Sequence, residues 1–326
     1  MRILIAKIGM LICPVLLVLG GLYCALPRNP TSFLLGFSIK DKILKSTHDP
    51  KVVLVGDSNL AFGVDSHALS RALKMNVVNA GFHAGLGANY LLNMGDDRAQ
   101  GRGNIIIISF AYPLYLSGSD YGGDATLCEL IFEVPAAAKY LGAENIPALL
   151  SGLGRVCGNR LLRTVNGLPF EVNPIYNSKA FDAYGDVVSH LSLKACTNLP
   201  PRMPPPSALV RRHVRLSPVV ESRLTRFFEH VEGKGGHVYI VPSPCRKMEY
   251  DADAPTIQEA YGLLKIKFPG KVLSFPEAFV FDNDCFFDTP YHLNNKGRDM
   301  RTGRLIDIIR DAENGIRRQQ LRPEIL

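Results

Sequence analysis

Residues 51–59 read KVVLVGDSN, and the character of this stretch decides the fold. Val52 to Val55 form an unbroken β-branched and apolar run, the composition of a strand buried on both faces. Gly56, Asp57 and Ser58 end it abruptly, and a turn of small residues lifts the next side chain, a serine hydroxyl, out of the sheet. Downstream, Asp65 is placed to cap a helix whose apolar face is Ala68, Leu69, Ala72 and Leu73. Strand, turn and helix in that order open an α/β sheet. Ser58 then stands at the carboxyl end of its strand, where open parallel sheets place their sites, and it is the candidate nucleophile.

A serine nucleophile needs a base. Residues 285–299 read CFFDTPYHLNNKGRD, and here Asp288 and His292 share one short loop. The carboxylate can orient the imidazole while the other ring nitrogen faces the serine. With GDS near the start of the folded region and D-x-x-x-H near its end, the chain resembles the SGNH, or GDSL, hydrolase superfamily. GDSNLAFGVD (56–65) and DTPYHLNNKGR (288–298) are similar, more narrowly, to its membrane-attached branch of DltD-like and exopolysaccharide O-acetyltransferase-like proteins. The likeness is good over 51–94 and 235–310 and scarcely visible between them. It implies a three-layer α/β/α, flavodoxin-like parallel sheet, a Ser58–Asp288–His292 triad, and Asn294 and Gly297 in family-like positions.

Asn76 to Val78 read as a second strand, followed by NAGFHAGLGANYLLNMG (79–95). Backbone N–H groups of such a glycine-bearing turn can aim at a developing oxyanion. The resemblance gives this role to the N–H of Ser58 with that of Gly81 or Gly85; the loop is one residue longer than the family's N-x-G-x-x-G, which leaves both glycines open. His83 either contacts substrate or fills a structural place, the second being favoured. Ile105 to Ile108 make a third strand, but the family's third-block asparagine has no counterpart where it ends. Ser109, Tyr112, Tyr115 or a backbone N–H are left to replace it. Asp57 either holds the turn, the favoured role, or touches substrate, with Asn59 and Tyr112 as further substrate-side candidates.

The chain has 326 residues, 47% of them hydrophobic, enough for one sizeable α/β domain with an insertion. A formal charge of +7, spread along the chain, favours anionic surfaces, either phospholipid headgroups or acidic polysaccharide. Nucleic acid is set aside, because no reading motif or aromatic-interleaved basic strip is present. Ile8 to Leu26 carry no charge and as a helix would span ~30 Å. Arg2 and Lys7 precede them, so residues 1–27 are expected to be an uncleaved inner-membrane signal anchor with the remainder in the periplasm or cell exterior. In that compartment Cys128, Cys157, Cys196, Cys245 and Cys285 are expected to form two disulfides with one thiol left over. No C-x-x-C pair or close Cys/His cluster is present, Asp282 and Asp284 read as solvated loop charges, and neither metal nor other cofactor is expected.

Residues 28–50 read as a connector whose Phe33, Leu34, Phe37, Ile39 and Ile43 pack on the domain in preference to the membrane surface. The domain, 51–326, carries an insertion or cap at about 113–216, with helical patches such as Pro135–Leu150 and a polyproline-like run at 199–207. From Ser217 the α/β pattern returns: a Ser217-capped helix, the strand HVYIVPSPC (237–245), a helix over Pro255–Lys267, a strand at 272–275, and a terminal helix from Asn295 burying Met300, Leu305, Ile308 and Ile309. The chemistry expected is ester cleavage or O-acyl transfer through an acyl-serine, acting on a glycan and served, under one reading, by an integral-membrane acyl donor. The alternative is a catalytically silent SGNH-like binding or assembly factor of a polysaccharide complex.

Overall fold

The computed structural model describes residues 10, 14, 17–99, 101–116, 125–193 and 214–320. Strand β1 (Lys51–Gly56) lies between β2 (Asn76–Asn79) and β3 (Ile105–Ser109), and β3 pairs with β4 (His237–Ile240), all in parallel. Among the described residues, 17–25 are helical, and further helices are α1 (Gly36–Ser46), α2 (Ser58–Gly63), α3 (Ser66–Leu73), α4 (Ala88–Ala99), α5 (Thr126–Glu133), α6 (Ile146–Val165), α7 (Pro218–Glu232), α8 (Lys247–Lys267) and α9 (Asn295–Gln320). Every residue of β1 and β3 is buried, as their continuous aliphatic runs require. Alternate residues feed two cores. Val53, Val55, Ile106 and Ile108 face one, with Phe37 of α1, Leu91 of α4, Leu224 of α7 and Leu264 of α8. Val52, Leu54, Ile105 and Ile107 face the other, with Leu69 of α3 and Leu305 and Ile309 of α9. The result is an α/β fold with a parallel sheet and helices against both of its faces.

Several expectations change. The strand at 272–275 shrinks to one parallel bridge, Val272 to Ile240. Beyond it the chain enters a 3-10 turn at Pro276, which has no N–H to continue a ladder. Two short strands, β5 (Cys245–Arg246) and β6 (Val280–Phe281), pair instead. Helix α8 starts at Lys247, ahead of Pro255, and breaks its helical geometry at Asp253 (φ −136°, ψ 19°), because the proline ring clashes with the preceding turn. The patch over 135–150 is two 3-10 turns, Pro135–Tyr140 and Ala143–Asn145, leading into α6. On α9, Met300 is exposed.

The connector packs as expected, with Phe33, Leu34 and Phe37 buried in the first core. Cys24, Cys128, Cys157, Cys245 and Cys285 are free thiols, so the expected disulfides are absent among the described residues, while Cys196 lies outside them. The sheet itself separates one pair, since Cys245 belongs to the first core and Cys285 to the second. Of the anchor expected over Ile8–Leu26, residues 10, 14 and 17–26 are described, and among the described residues no helix is long and apolar enough to cross a membrane. Its Leu22, Tyr23 and Leu26 pack against Phe132 of α5 and Val156 of α6, and Tyr23 Oη donates to Ile131 O at 2.6 Å.

The insertion returns to the sheet's carboxyl end. Val187 N donates to Ala61 O and Asn79 N to Tyr184 O, each at 2.8 Å. The polyproline-like run 199–207 lies outside the described residues.

Candidate active site

Ser58 is delivered by β1 as the first residue of α2. Gly56 permits this turn, because a Cβ there would sit 2.0 Å from Ser109 O on the neighbouring strand. Asp57 caps the helix, its Oδ1 accepting from Asn59 N at 2.8 Å. At the other end of the chain, Phe286 and Leu293 pair as an antiparallel bridge and Phe287 N donates to His292 O at 2.9 Å. Asp288 to His292 thereby become a closed loop. Asn294 anchors it by donating from Nδ2 to Asp284 O at 2.6 Å and accepting from Gly297 N at 3.1 Å. Gly297 is needed for this, since a Cβ on it would lie 2.4 Å from Cys285 O.

The three residues meet in one line. His292 Nε2 is 2.8 Å from Ser58 Oγ, and His292 Nδ1 is 2.8 Å from Asp288 Oδ1. The Phe62 ring stacks on the imidazole, with centroids 4.2 Å apart and planes 7° from parallel. Tyr176, from the insertion, donates its hydroxyl to Asp288 Oδ2 and lies 3.2 Å from His292 Nδ1. Burial by itself pushes the Asp288 carboxyl upward, but the hydrogen bond and charge of His292 and the Tyr176 hydroxyl outweigh it, so its pKa lies below the ordinary carboxylate value. Burial and the Asp288 carboxylate both raise the Tyr176 phenol, which therefore stays a protonated donor. An ionised carboxylate, an oriented imidazole and a serine hydroxyl within reach form the chain of groups that proton abstraction from serine requires.

A buried polar layer supports the nucleophile turn. Asp57 Oδ2 accepts from Ala111 N at 2.7 Å, and Oδ1 also accepts from Asn59 Nδ2 at 2.6 Å. Arg301 of α9, fully buried, donates to Asn59 O at 2.6 Å, Asn59 Oδ1 at 2.8 Å and Ser109 Oγ at 3.0 Å. A second hub is Asp186 of the insertion, which accepts from Ser66 N at 2.7 Å, Ser66 Oγ at 2.6 Å, Asn79 Nδ2 at 2.7 Å and Arg298 Nη2 at 3.1 Å. These bonds tie β2, α3, α9 and the insertion into one frame around Ser58.

Other expected site residues are turned elsewhere. Asp57 and Asn59 are buried in the support layer. Tyr112 is buried and donates to Asp253 Oδ2 at 2.6 Å. Ser109 is held by Arg301, and Tyr115 Oη accepts from Phe110 N at 3.3 Å, so all three hydroxyls weighed as stand-ins for the third-block asparagine are engaged within the chain. Gly81 N donates to Asn79 Oδ1 and Gly85 N to His83 Nδ1, each at 3.0 Å. Both glycine N–H groups are thus spoken for internally. Asn79 explains the first, because its Nδ2 is held by Leu60 O and Asp186, which turns its oxygen toward Gly81. The N–H of Ser58, as the first in α2, has no partner within the helix. His83 accepts at Nδ1, which leaves its proton on Nε2; burial and then the charge of His292 lower its pKa, so the ring is neutral and belongs electrically to the same site. Asp284 pairs with Lys296 at 2.6 Å.

Sequence reasoning missed Tyr176, Phe62, Asp186, Arg298 and Arg301. The two arginines left a faint signal, cations at i and i+3 on the helix that follows the His292 loop; Tyr176 and Asp186 left none, since they lie in the least legible part of the chain. No protein-family model matches the chain, and no curated protein matches it.

Proposed function

We propose that this protein is a membrane-anchored, extracytoplasmic SGNH-type enzyme, a serine esterase or O-acyltransferase. Its substrates are acyl groups, O-acetyl foremost, on a cell-envelope or exopolysaccharide glycan. The observation that carries the proposal is the hydrogen-bonded line from Ser58 through His292 to Asp288. The three-layer SGNH-like reading of the fold is supported by the strand order β2-β1-β3-β4 and by nucleophile and base standing at the sheet's carboxyl end.

In the first half-reaction His292 Nε2 takes the Ser58 proton as Oγ attacks the ester carbonyl. The imidazolium formed is stabilised by Asp288, itself held by Tyr176. The tetrahedral oxyanion draws on the backbone N–H of Ser58. Collapse breaks the acyl–oxygen bond, His292 returns the proton to the leaving alkoxide, and an acyl-serine remains. In the second half a hydroxyl attacks this acyl group with His292 again as base. Water gives an esterase and a sugar hydroxyl gives a transferase. The basic charge, the uncharged N-terminal run and the resemblance to polysaccharide-cluster proteins favour the sugar.

The second reading, a silent SGNH-like binding or assembly factor, is favoured by one observation: both loop glycine N–H groups are engaged by Asn79 and His83. Labelling the full chain in detergent with a fluorophosphonate, followed by peptide mass spectrometry, separates the two. Activity predicts label on Ser58 that His292→Ala abolishes. A folded chain that takes no label supports the silent factor.

A further inference from the structure

The outward side of α6 carries a cluster of exposed apolar residues among Ser151, Asn159 and Thr164. Its inner face, with Gly152, Val156 and Cys157, is buried and packs with Phe132 and with Leu19, Leu22 and Tyr23 of the N-terminal run. At about 100° per residue, Leu161, Leu162 and Val165 fall on the opposite side, with Leu150 on the flank beside Cys157. Leu162 is 63% exposed and Val165 75%, and the apolar exposure continues past the helix at Leu168 and Val172. Between them Gly154 and Gly158 lie open, with nothing within 4 Å of where a Cβ would be.

Fifteen large apolar side chains are exposed among the described residues; seven lie in 146–172, and Met10, Leu17 and Val18 of the N-terminal run add three more. Single exposed apolar residues are ordinary, but two thirds of them in two touching segments make a patch. The segments do touch, since Cys157 Sγ of α6 lies 4.0 Å from Leu19 O. Helix α6 also contains Arg155, Arg160 and Arg163 and no acidic residue. Arg155 falls at the edge of the apolar stripe. Arg160 pairs with Glu133 on the inner side and Arg163 donates to Pro169 O, so Arg155 is the cation that borders the stripe; an apolar stripe with a cation at its edge suits the headgroup boundary of anionic bilayers.

We propose that α6 and the chain to Val172 lie in the interfacial layer of the bilayer that holds the N-terminal run. The insertion is then a second membrane contact, and two attachments fix the orientation of the domain, and of Ser58, relative to the surface. This inference rests on the anchor in the proposed function and is independent of the acyl-transfer chemistry.

The chain contains no tryptophan, so each introduced indole reports alone. The full chain is reconstituted in anionic vesicles with brominated acyl chains, as Leu17→Trp, Val165→Trp or Ile266→Trp; Ile266 is 80% exposed on α8, the helix that packs on β5 and β6. The expected result is blue-shifted emission quenched by brominated lipid for Val165→Trp, to an extent comparable with Leu17→Trp, and solvent-like unquenched emission for Ile266→Trp. Quenching at Leu17→Trp with solvent-like emission at Val165→Trp overturns the docking and leaves the anchor standing. Blue-shifted but unquenched emission at Val165→Trp overturns it in favour of a second copy of the chain covering the stripe. No quenching at either site overturns docking and anchor together.

Discussion

Replacing Tyr176 by phenylalanine isolates what the insertion contributes to the triad. The ring packs at 5.6 Å from Phe33 and 5.4 Å from Phe62, centroid to centroid, and phenylalanine keeps those contacts while deleting only the hydroxyl. That hydroxyl donates to Asp288 Oδ2. A hydrogen bond to an ionised group contributes about 1.5–3 kcal/mol. The Asp288 side chain is 30% exposed, so water replaces part of the lost donor and the effect falls to about 1–1.5 kcal/mol, roughly five- to tenfold in rate. The assay is the second-order rate constant for phosphonylation of Ser58, with Asp288→Asn as the reference for loss of the orienting carboxylate, on the order of 10³–10⁴-fold. Titration of the carboxyl adds an independent readout. The Tyr176 hydroxyl is among the groups that hold the Asp288 carboxyl down, so its removal raises that pKa, which carboxylate NMR titration reads directly. A Tyr176→Phe variant that labels at the unmodified rate with an unshifted Asp288 titration refutes the positioning role. A loss as large as that of Asp288→Asn refutes it from the other side, by placing Tyr176 in the chemistry itself.

Asp186→Asn leaves the buried Arg298 guanidinium with Asp65, 3.5 Å away, as its remaining carboxylate, and stability is expected to fall by about 1–3 kcal/mol in urea unfolding; a change under about 0.5 kcal/mol, the range of ordinary surface substitutions, would show that the hub does not bind the insertion to the frame. Gly297→Ala puts a Cβ 2.4 Å from Cys285 O and 2.7 Å from Leu293 Cδ2, an overpacking that costs about 1–3 kcal/mol and displaces the His292 loop, so Ser58 labelling drops along with the melting temperature. Lys40 is buried and donates to Asn79 O at 2.8 Å and to Gly185 O. Burial, opposed by Asp186 and Asp182, lowers its pKa to about 7 from 10.5. The unfolded chain then binds more protons between those two values, so stability rises with pH across that window, by at most ~1.4 kcal/mol per pH unit from this group. Denaturation midpoints measured at several pH values in the window should rise for the unaltered chain and flatten in Lys40→Met, and parallel curves would disprove the linkage.

The legible parts of this chain are those whose physics is local. Val52–Val55 and Ile105–Ile108 announce buried strands by composition, because a strand covered on both faces has no polar position to spare. Ser217 and Asp65 announce helix starts, because a cap acts over three residues; both accept from the expected backbone N–H. The 272–275 segment and the helix around Pro255 are less legible at their edges, where a single proline decides whether pairing or helical geometry can continue.

What the sequence by itself determined is therefore the α/β class, the position of Ser58 after its strand, and the sharing of one loop by Asp288 and His292. Tertiary structure alone decided how the site is completed. It set Ser58 against a histidine 234 residues away, brought Tyr176 to Asp288 across 112 residues, and turned Asn79 and His83 onto the N–H groups of Gly81 and Gly85. The physical reason is one of range. Strand composition, turn chemistry and caps act between neighbours along the chain. The partner of a buried carboxylate or guanidinium is whichever polar group the folded chain returns to its side, and no spacing within the sequence specifies that return.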